Sequence, residues 1–496
     1  MKADARKMLR ALPLSICICA CIGALIQPGH VRAQSITEAV RSALDTNASL
    51  QAERLRLSAT MEQQIQARNL RRPVVQFEAN TALRATAAGK PRALDLSRAE
   101  PGSLSLQLIQ PLYLGGRYEA ALREADLRVG QSIARIRGRE LLVVRQVIEA
   151  YSNVRRDYQV SAIREEGIVA LTRQLVGARL RRDEGLVGLT EVSQVESRLA
   201  SAKSAASNAQ ARLQASWATL ERLIGSRPVG LSEDSFETLI LPSSLSEAIE
   251  TAENLSHDLK AARYNEYIAT AIARAAQVEN APSLSLQANV AGNSDTAFNG
   301  SRVYSAQIGA RFVVPIWNGG QPQSRARAAL SEANAARVEA TGLEGVLAEQ
   351  VTQAWASLEA ANRAIIISEG FAKSAQTARI GAELEFDVGL RSIIEVLNQE
   401  QELQEAKVGV VVARSNLLSS QAVLATLVGL DPTGVINKTT EFDPIRDETV
   451  LSQLRNGKVA IWERPLVGVF DGVNQALAPS RHIVRNVKRV ILGPEQ

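Results

Sequence analysis

Few side chains in this sequence have the type and spacing that catalysis or metal binding requires. The three histidines, His30, His257 and His482, lack the neighbouring ligands of a metal site and the serine and acid of a catalytic triad. The three cysteines all lie within residues 17–21. No glycine-rich loop followed by Lys and Ser or Thr is present to hold a nucleotide phosphate. The sequence therefore predicts no enzyme activity, no cofactor and no bound metal.

Charged side chains are the other candidates, and some of them lie beside two glycine-containing breaks in long helical patterns. The first break, at 185–190, is followed by Glu191, and the second, at 388–393, contains Arg391 and is followed by Glu395. On residue types alone, these three are solvent-exposed charges at helix ends, where an ion pair contributes about 0–1 kcal/mol. Whether these three side chains have a function depends on the helices and turns in which they lie.

Residues 1–33 have the pattern of a secretory signal peptide. A basic start precedes an uncharged apolar stretch at 11–26, and we predict cleavage after Ala33. A retained membrane anchor and lipidation at Cys21 are the alternatives. Beyond the apolar stretch no uncharged apolar run reaches 18 residues, so we expect no transmembrane helix in the mature protein. It could then return to a membrane only as β-strands.

Most of the remaining chain is an internal duplication. The segment 111–116, Pro-Leu-Tyr-Leu-Gly-Gly, recurs 204 positions later at 315–320 as Pro-Ile-Trp-Asn-Gly-Gly, and this offset continues without a gap through the segments that follow. Upstream, Pro73 corresponds to Pro282 at an offset of 209. Agreement across prolines, glycines and aromatic residues indicates a true repeat rather than a chance match of alanine-rich helices.

The duplication defines the predicted organisation of the chain. We predict a first repeat at 34–228, a linker at 229–244 that contains Pro and Ser, a second repeat at 245–432 and a C-terminal tail at 433–496.

Each repeat is predicted to contain the same three elements in the same order. One opening helix ends before a proline, because the residue preceding proline disfavours the helical conformation. Alternating apolar and polar residues then predict β-hairpins at 74–113 and 283–316. Long helical hairpins follow at 116–225 and 320–429, and their many small side chains favour close helix packing.

The predicted strands have one apolar and one polar face. This pattern fits the hairpins of a soluble sheet, and in an exported chain it also fits a membrane barrel. One chain supplies four strands, whereas a closed barrel needs at least about eight, so a barrel would require two, three or more chains. The residue pattern alone leaves that number open.

Two tip sequences carry a resemblance to a known family. Gly-Leu-Val-Gly-Leu-Thr-Glu-Val at 185–192 and Val-Gly-Leu-Arg-Ser-Ile-Ile-Glu-Val-Leu at 388–397, with the duplicated hairpins, resemble the TolC family of outer-membrane efflux and secretion channels. The resemblance covers roughly 36–432. It implies a fold of helices and membrane β-strands: a homotrimer whose 12-stranded β-barrel, with four strands per chain, continues into a long α-helical barrel.

The same resemblance implies a place and a function. The barrel would lie in the outer membrane of a Gram-negative cell and the helices would cross the periplasm. The chain would be a passive exit duct of a tripartite efflux pump or a type I secretion system. The expected partners are two further copies of the chain, outer-membrane lipid, a periplasmic adaptor (membrane fusion) protein and, through it, an inner-membrane pump or ABC transporter.

The helical tips would contact the adaptor and close the tunnel. The residues implied for adaptor contact are Gly185, Leu186, Val187, Gly188, Leu189, Thr190, Val388, Gly389, Leu390, Arg391, Ser392 and Ile393.

Gate residues also follow from the resemblance. Arg391 matches the family's tip arginine, and Glu191 matches its acidic partner in a lock of the closed state. Glu395 and Asn398 match two constriction positions that both carry aspartate in the best-known member. The amide at the second position implies one ring of carboxylates rather than two. Phe386 would narrow the entrance or pack between helices.

A periplasmic coiled-coil adaptor or scaffold is the alternative, because such a protein also has long helical hairpins. It should show one helical hairpin flanked by soluble β-domains, whereas this chain has two hairpins, each with its own pair of strands. The sequence does not indicate whether the substrate is a drug, a metal or a secreted protein.

The net charge of +5 gives no reason to expect a nucleic-acid partner. The predicted leader holds five basic residues against one acidic residue, and the stretch 456–496 holds six against three. The positive charge therefore belongs to the export signal and the tail rather than to the repeats.

Overall fold

The computed structural model describes residues 34–82, 84–88, 95–99, 102–232, 241–295 and 301–436. The chain divides into two compact units at residue 435, and every helix and strand named below belongs to the first. The predicted leader with Cys21 and Ala33, most of the predicted tail, and the histidines His30 and His482 lie outside the described residues.

The two repeats share four helices and one strand pair in the same order, and the first repeat has a further short strand pair. In the first repeat these are α1 (Ile36–Thr46), α2 (Ala48–Asn69), β1 (Val74–Thr81), β2 (Arg84–Ala88), β3 (Asp95–Ala99), β4 (Gly102–Tyr113), α3 (Arg117–Asp183) and α4 (Leu189–Ile224). In the second repeat they are α5 (Leu245–Leu255), α6 (His257–Gln277), β5 (Ser283–Asp295), β6 (Ser301–Val313), α7 (Gln321–Asp387) and α8 (Ile393–Leu427). The pair β2–β3 extends the first hairpin and has no counterpart among the described residues of the second.

Each opening helix is broken in two, whereas the sequence predicts one continuous helix. At the first break the Asn47 side chain accepts hydrogen bonds from the backbone amides of Ser49 and Leu50, at 3.0 and 3.3 Å. At the second, Ser256 accepts from the amide of Leu259 at 3.4 Å. Short polar side chains favour such caps because they satisfy amides that a helix start leaves unpaired. The two breaks are 209 positions apart, like the two prolines.

Four strands form one antiparallel sheet in the order β1-β4-β5-β6, so the central pairing β4–β5 joins the two repeats. Apolar residues line up across all four strands, as in the row Phe77, Leu106, Val290 and Ala306. The next row consists of polar residues: Gln76, Gln107, Asn289 and Gln307. The predicted alternation therefore produces one apolar and one polar sheet face.

The apolar face of the sheet is open within the described part of one chain. Phe77 is 49%, Ile308 75% and Phe312 65% exposed. Neighbouring apolar side chains in one continuous exposed patch indicate a surface that contacts something other than water.

The helices form a bundle around the two longest, α3 and α7, which have 67 residues each. At 1.5 Å per residue each is about 100 Å long, too long to be covered by the sheet. Helix α3 packs on α2, α4, α6 and α8, and α7 packs on α5, α6 and α8. The buried positions are mostly Ala, Val and Leu, as in the stripe Val144, Val147, Tyr151 and Val154 of α3.

One helix among the described residues, α8, is long and apolar enough to cross a membrane by length and composition, with a mean hydropathy of 1.3 over 18 residues. Within the chain, 28% of that apolar window is buried. Ala406, Ala413 and Leu424 are buried in the bundle, and α8 packs along both α7 and α3. Arg414 of the same helix forms an ion pair with Glu369 of α7, 2.8 Å apart. Helix α8 is a helix of the bundle.

The buried Tyr151 forms hydrogen bonds at the junction between Gln34, at the start of the described chain, and Ser232, in the segment after α4. Gln34 forms a parallel bridge with Leu231, and the Ser232 amide donates to the Gln34 carbonyl at 3.1 Å. The fully buried Tyr151 of α3 has its hydroxyl 2.9 Å from the Gln34 carbonyl and 2.8 Å from the Ser232 carbonyl. Both ends of the first repeat are thus held against the middle of α3.

We predict that Tyr151→Phe loosens this junction without unfolding the bundle. Loss of one buried hydrogen bond costs about 1 kcal/mol, so amide exchange of the segment around Ser232 should become about fivefold faster in hydrogen–deuterium exchange. Tyr158→Phe is the control, because the Tyr158 side chain is 64% exposed. Equal exchange in the two variants would show that the hydroxyl does not hold the junction.

Candidate gate at the helical tips

The two long hairpins turn through loops of the same backbone structure. Gly185 and Gly389 have positive φ angles of 78° and 79°, a conformation that favours glycine. The amides of the next residues, Leu186 and Leu390, each donate back to a carbonyl five residues earlier at 2.8 Å. This is a glycine-terminated helix end in which the last carbonyls of α3 and α7 are satisfied. The backbone therefore requires Gly185 and Gly389, whereas Gly188 has an extended backbone with a φ angle of -81°.

Most of the residues predicted to contact an adaptor are exposed at these turns. Leu186, Leu189, Val388 and Leu390 are 69–78% exposed, which places them among the most exposed large apolar side chains of the described residues. Ile393 differs, because only 3% of it is accessible and it supports the turn from inside. The turns therefore expose apolar side chains to solvent, and the buried Ile393 packs beneath them.

The two tips of one chain pack on each other through an apolar cluster. Its buried members are Leu175, Ala178, Val192, Val195 and Leu199 from the first hairpin and Ile393 and Leu397 from the second. Phe386 is partly buried against this cluster. The cluster sets the position of the second tip relative to the first.

An arginine of the first hairpin reinforces this contact. The Arg181 guanidinium carbon lies 4.4 Å from the centre of the Phe386 ring, a cation–π distance. Its Nη2 lies 3.9 Å from the Asp387 carboxylate. Phe386, predicted either to narrow the entrance or to pack between helices, is thus in contact with the opposite hairpin of its own chain.

Arg391 is paired within its own hairpin. Its guanidinium contacts the Glu385 carboxylate directly and lies 3.6 Å from that of Glu395. No hydrogen bond or ion pair between Arg391 and Glu191 occurs within the described part of one chain. All three side chains of the observed group are 40–51% exposed, so water screens these pairs and each contributes little. Arg391 and Glu395 are brought together, whereas Glu191 lies in the first turn of α4, where helix N-termini favour acidic residues.

Asn398 takes part in a contact between the hairpins that the sequence does not reveal. Arg198 of α4 donates to the Asn398 amide oxygen at 3.0 Å and to the Gln401 amide oxygen at 2.5 Å. Further along, Arg164 of α3 makes two hydrogen bonds to the Glu405 carboxylate of α8, at 2.9 and 3.1 Å. Arg164, Arg181 and Arg198 lie 200–241 residues from their partners, so no local pattern could have identified them.

The described residues contain no group of three or more His, Cys, Asp or Glu side chains that could hold a metal ion. His257 begins α6, and burial, with Lys260 and Arg137 nearby, lowers its pKa to about 4, so it is neutral at pH 7. Burial also raises the pKa of Glu140, although Arg137 and Arg54 lie 3.0 and 3.7 Å away. These groups belong to the helix bundle far along α3 from the tips.

Comparison with known proteins supports the resemblance. The family model described as outer membrane efflux protein matches residues 39–226 and 248–430, one match for each repeat. The outer membrane efflux protein BepC of Brucella suis biovar 1 (strain 1330) is 26% identical over 402 residues, which cover 80% of this chain and 85% of BepC. The outer membrane protein TolC of Escherichia coli (strain K12) is 24% identical, covering 66% of this chain and 69% of TolC.

Solved structures show the same fold. The outer membrane protein VceC of Vibrio cholerae superposes with a TM-score of 0.66 at 19% identity, covering 79% of this chain and 96% of VceC. The predicted TolC-like fold is confirmed by this likeness, and the predicted channel function by the family match, against the alternative of a periplasmic adaptor. Since both repeats match the family model, the chain belongs to the outer membrane efflux protein family and is an exit channel of the outer membrane that extends into the periplasm, not an enzyme.

Proposed function

We propose that three copies of this chain assemble into one channel that serves a tripartite efflux pump or a type I secretion system. The observation that carries the proposal is the four-stranded sheet, with one continuous apolar face and two edge strands, β1 and β6. Each copy contributes these four strands to a shared barrel and its two helical hairpins to a shared tunnel.

The edges of the sheet support assembly from several copies. In the described part of one chain, β1 pairs only with β4, and β6 pairs only with β5. In lipid, an unpaired backbone amide or carbonyl costs several kcal/mol because no water replaces the missing partner, so spanning sheets close into barrels. Four strands per chain allow eight strands from two copies or twelve from three. The resemblance to the TolC family favours three.

The tips support contact with a periplasmic adaptor. The exposed apolar residues Leu186, Leu189, Val388 and Leu390 lie at the ends of two adjacent hairpins. A helical hairpin of a partner could lay its own apolar face between them, as helix-in-groove contacts do. Through that adaptor the channel would receive substrate from an inner-membrane pump or ABC transporter, which supplies the energy.

The charges at the second tip support a gate. In an assembly of three copies, Glu395 would form one ring of carboxylates near the tunnel entrance, with Asn398 about one helical turn further along α8. Arg391 lies between Glu385 and Glu395 and partly neutralises that ring. A closed state held by Arg391 and Glu191 of different copies would have to compete with these contacts.

The mass of the assembly tests the proposal directly. Protein extracted from outer membranes in mild detergent should give the mass of three copies in native mass spectrometry. A mass of one or two copies would contradict the proposal.

The apolar sheet face should tolerate no cation. We expect Ile308→Arg to reduce the heat-modifiable protein in the outer-membrane fraction several-fold, because Ile308 lies near the middle of β6 on the apolar face and arginine at the bilayer midplane costs about 2–4 kcal/mol. Gln307→Arg, on the polar face of the same strand, should leave the amount unchanged. Similar losses in both variants would argue against a lipid-facing apolar surface.

Removing the tip arginine should ease opening. We expect Arg391→Gln to raise single-channel conductance in planar bilayers about two- to fivefold, since it removes the proposed closed-state contact with Glu191 of a neighbouring copy, an ion pair that contributes up to about 1 kcal/mol. Arg363→Gln is the matched control, because Arg363 forms an exposed pair with Glu359 in the middle of α7, 3.8 Å apart. If the conductance of Arg391→Gln equals that of the unmodified channel, Arg391 has no role in closing the channel and its ion pairs are ordinary surface contacts.

A further inference from the structure

We propose that Arg71 and Arg72, at the end of the sheet that joins the helices, form a binding site for an anionic phospholipid. The inference rests on the proposed function, in which the apolar face of the sheet contacts lipid. It goes further by naming a lipid class and the residues that recognise it. Each copy of the chain carries the whole site.

One end of the sheet is joined to the helices. Val74 pairs with Ile109 where β1 begins, and Ser283 pairs with Val313 where β6 ends. Helices α2 and α6 lead into this end, and α3 and α7 leave from it. Because the channel extends into the periplasm, this end of the sheet lies at the membrane leaflet that faces the periplasm.

The apolar face of the sheet ends there with aromatic side chains. Tyr113 lies opposite Leu284, and Leu284 pairs with Phe312, so these three residues form an apolar row across β4, β5 and β6. Trp317 follows β6 and is 82% exposed. Tyrosine and tryptophan favour the level of lipid headgroups, because each combines an apolar ring with a polar group. The strand ends therefore mark the level of the headgroups.

Positive charge is concentrated around the same strand ends. The four segments that flank the strands there contain seven arginines and two glutamates, a net charge of +5. These segments are 68–74, 111–123, 277–284 and 313–327. Four of the arginines have no ion-pair partner within 4.0 Å in the described part of the chain: Arg68, Arg72, Arg123 and Arg327. This surface therefore attracts anions.

Arg71 and Arg72 lie on the side of the sheet that faces lipid. Gln110 pairs with Leu286, so the Gln110 side chain belongs to the apolar face. Its Nε2 donates to the Arg71 carbonyl at 2.7 Å and holds the segment before β1 on that side. The Arg71 guanidinium carbon lies 4.8 Å from the centre of the Tyr118 ring, a cation–π distance. The Arg72 side chain is exposed beside it.

The second repeat lacks this arginine pair. The residues that correspond to Arg71 and Arg72 are Asn280 and Ala281. The Asn280 amide oxygen accepts a hydrogen bond from Asn318 at 2.8 Å, so it joins the two connections of the second hairpin. Each copy therefore has one arginine pair at this end of the sheet.

A lipid phosphodiester with a net negative charge fits this surface. Guanidinium groups bind phosphate oxygens through paired N–H donors. A basic side chain near the membrane is attracted by an anionic leaflet and not by a zwitterionic one. The acyl chains of the lipid would also cover the apolar row that ends at Tyr113, whereas a free phosphate would leave that row in water.

Native mass spectrometry with added lipid tests the site. Protein in mild detergent is mixed with equal amounts of phosphatidylglycerol and phosphatidylethanolamine, which share a phosphodiester and differ in net charge. The unmodified protein should retain about threefold more phosphatidylglycerol. Arg71→Gln with Arg72→Gln should bring this ratio close to one. Arg71→Lys with Arg72→Lys should keep most of the preference, because lysine keeps the charge.

Arg173→Gln with Arg212→Gln is the matched control. It removes the same charge from exposed side chains of α3 and α4, at positions distant from the strands. The ratio of the two retained lipids should then stay at the value of the unmodified protein.

Equal ratios for the unmodified protein and the Arg71→Gln, Arg72→Gln variant would overturn the site, and so would an equal reduction by the control. Loss of the three-copy mass in that variant with an unchanged lipid ratio would assign the arginines to contacts between copies instead. A mass of one copy for the unmodified protein would contradict the proposed assembly alone, because the lipid ratio can be measured on a single copy.

Discussion

Backbone pairing at the edges of a small sheet is the constraint on which the rest of this architecture depends. Four strands with one apolar face have two edges, and in lipid neither edge can be satisfied by water. The chain therefore needs further strands from outside itself. Once copies join edge to edge, the helices that follow each hairpin are placed side by side around an axis. In the proposed assembly, strand pairing between copies would therefore also bring their helices together.

The helical part is held differently along its length. Near the strands and in the middle, α3 and α7 are covered by the shorter helices and carry fully buried residues such as Val147 and Val351. At the tips the two hairpins meet through one apolar cluster and a few exposed arginine contacts. Local stability follows buried apolar contact, so the tips are the part of the bundle that can move at least cost. A gate at the tips is consistent with this decrease in local stability along the helices.

Sequence patterns predicted what repeats or alternates along the chain. The hairpins follow from period-2 alternation, and the turns at Gly185 and Gly389 follow from glycines that the backbone requires. The breaks at Asn47 and Ser256 were missed, because a single capping side chain in a helical pattern is a weak signal. Contacts such as Arg198 with Asn398 could not be predicted, since they depend on the rotation of two helices about 200 residues apart. The resemblance placed Arg391 opposite Glu191, whereas one chain places it between Glu385 and Glu395.

At position 398 this chain has an amide where the best-known family member has a carboxylate. The contact between Asn398 and Arg198 shows how this difference affects the charge of the proposed constriction. Arg198 already holds the Asn398 side chain at 3.0 Å, so the site is filled by a cation–amide hydrogen bond. An aspartate there would make an ion pair with the same guanidinium and add little free charge to the tunnel. The remaining carboxylate, Glu395, lies 3.6 Å from Arg391. Arg391 is shared with Glu385, so a ring built from these groups keeps part of its negative charge. The Arg198 guanidinium beside the neutral Asn398 amide adds positive charge about one helical turn further along, so the proposed constriction would carry charges of both signs.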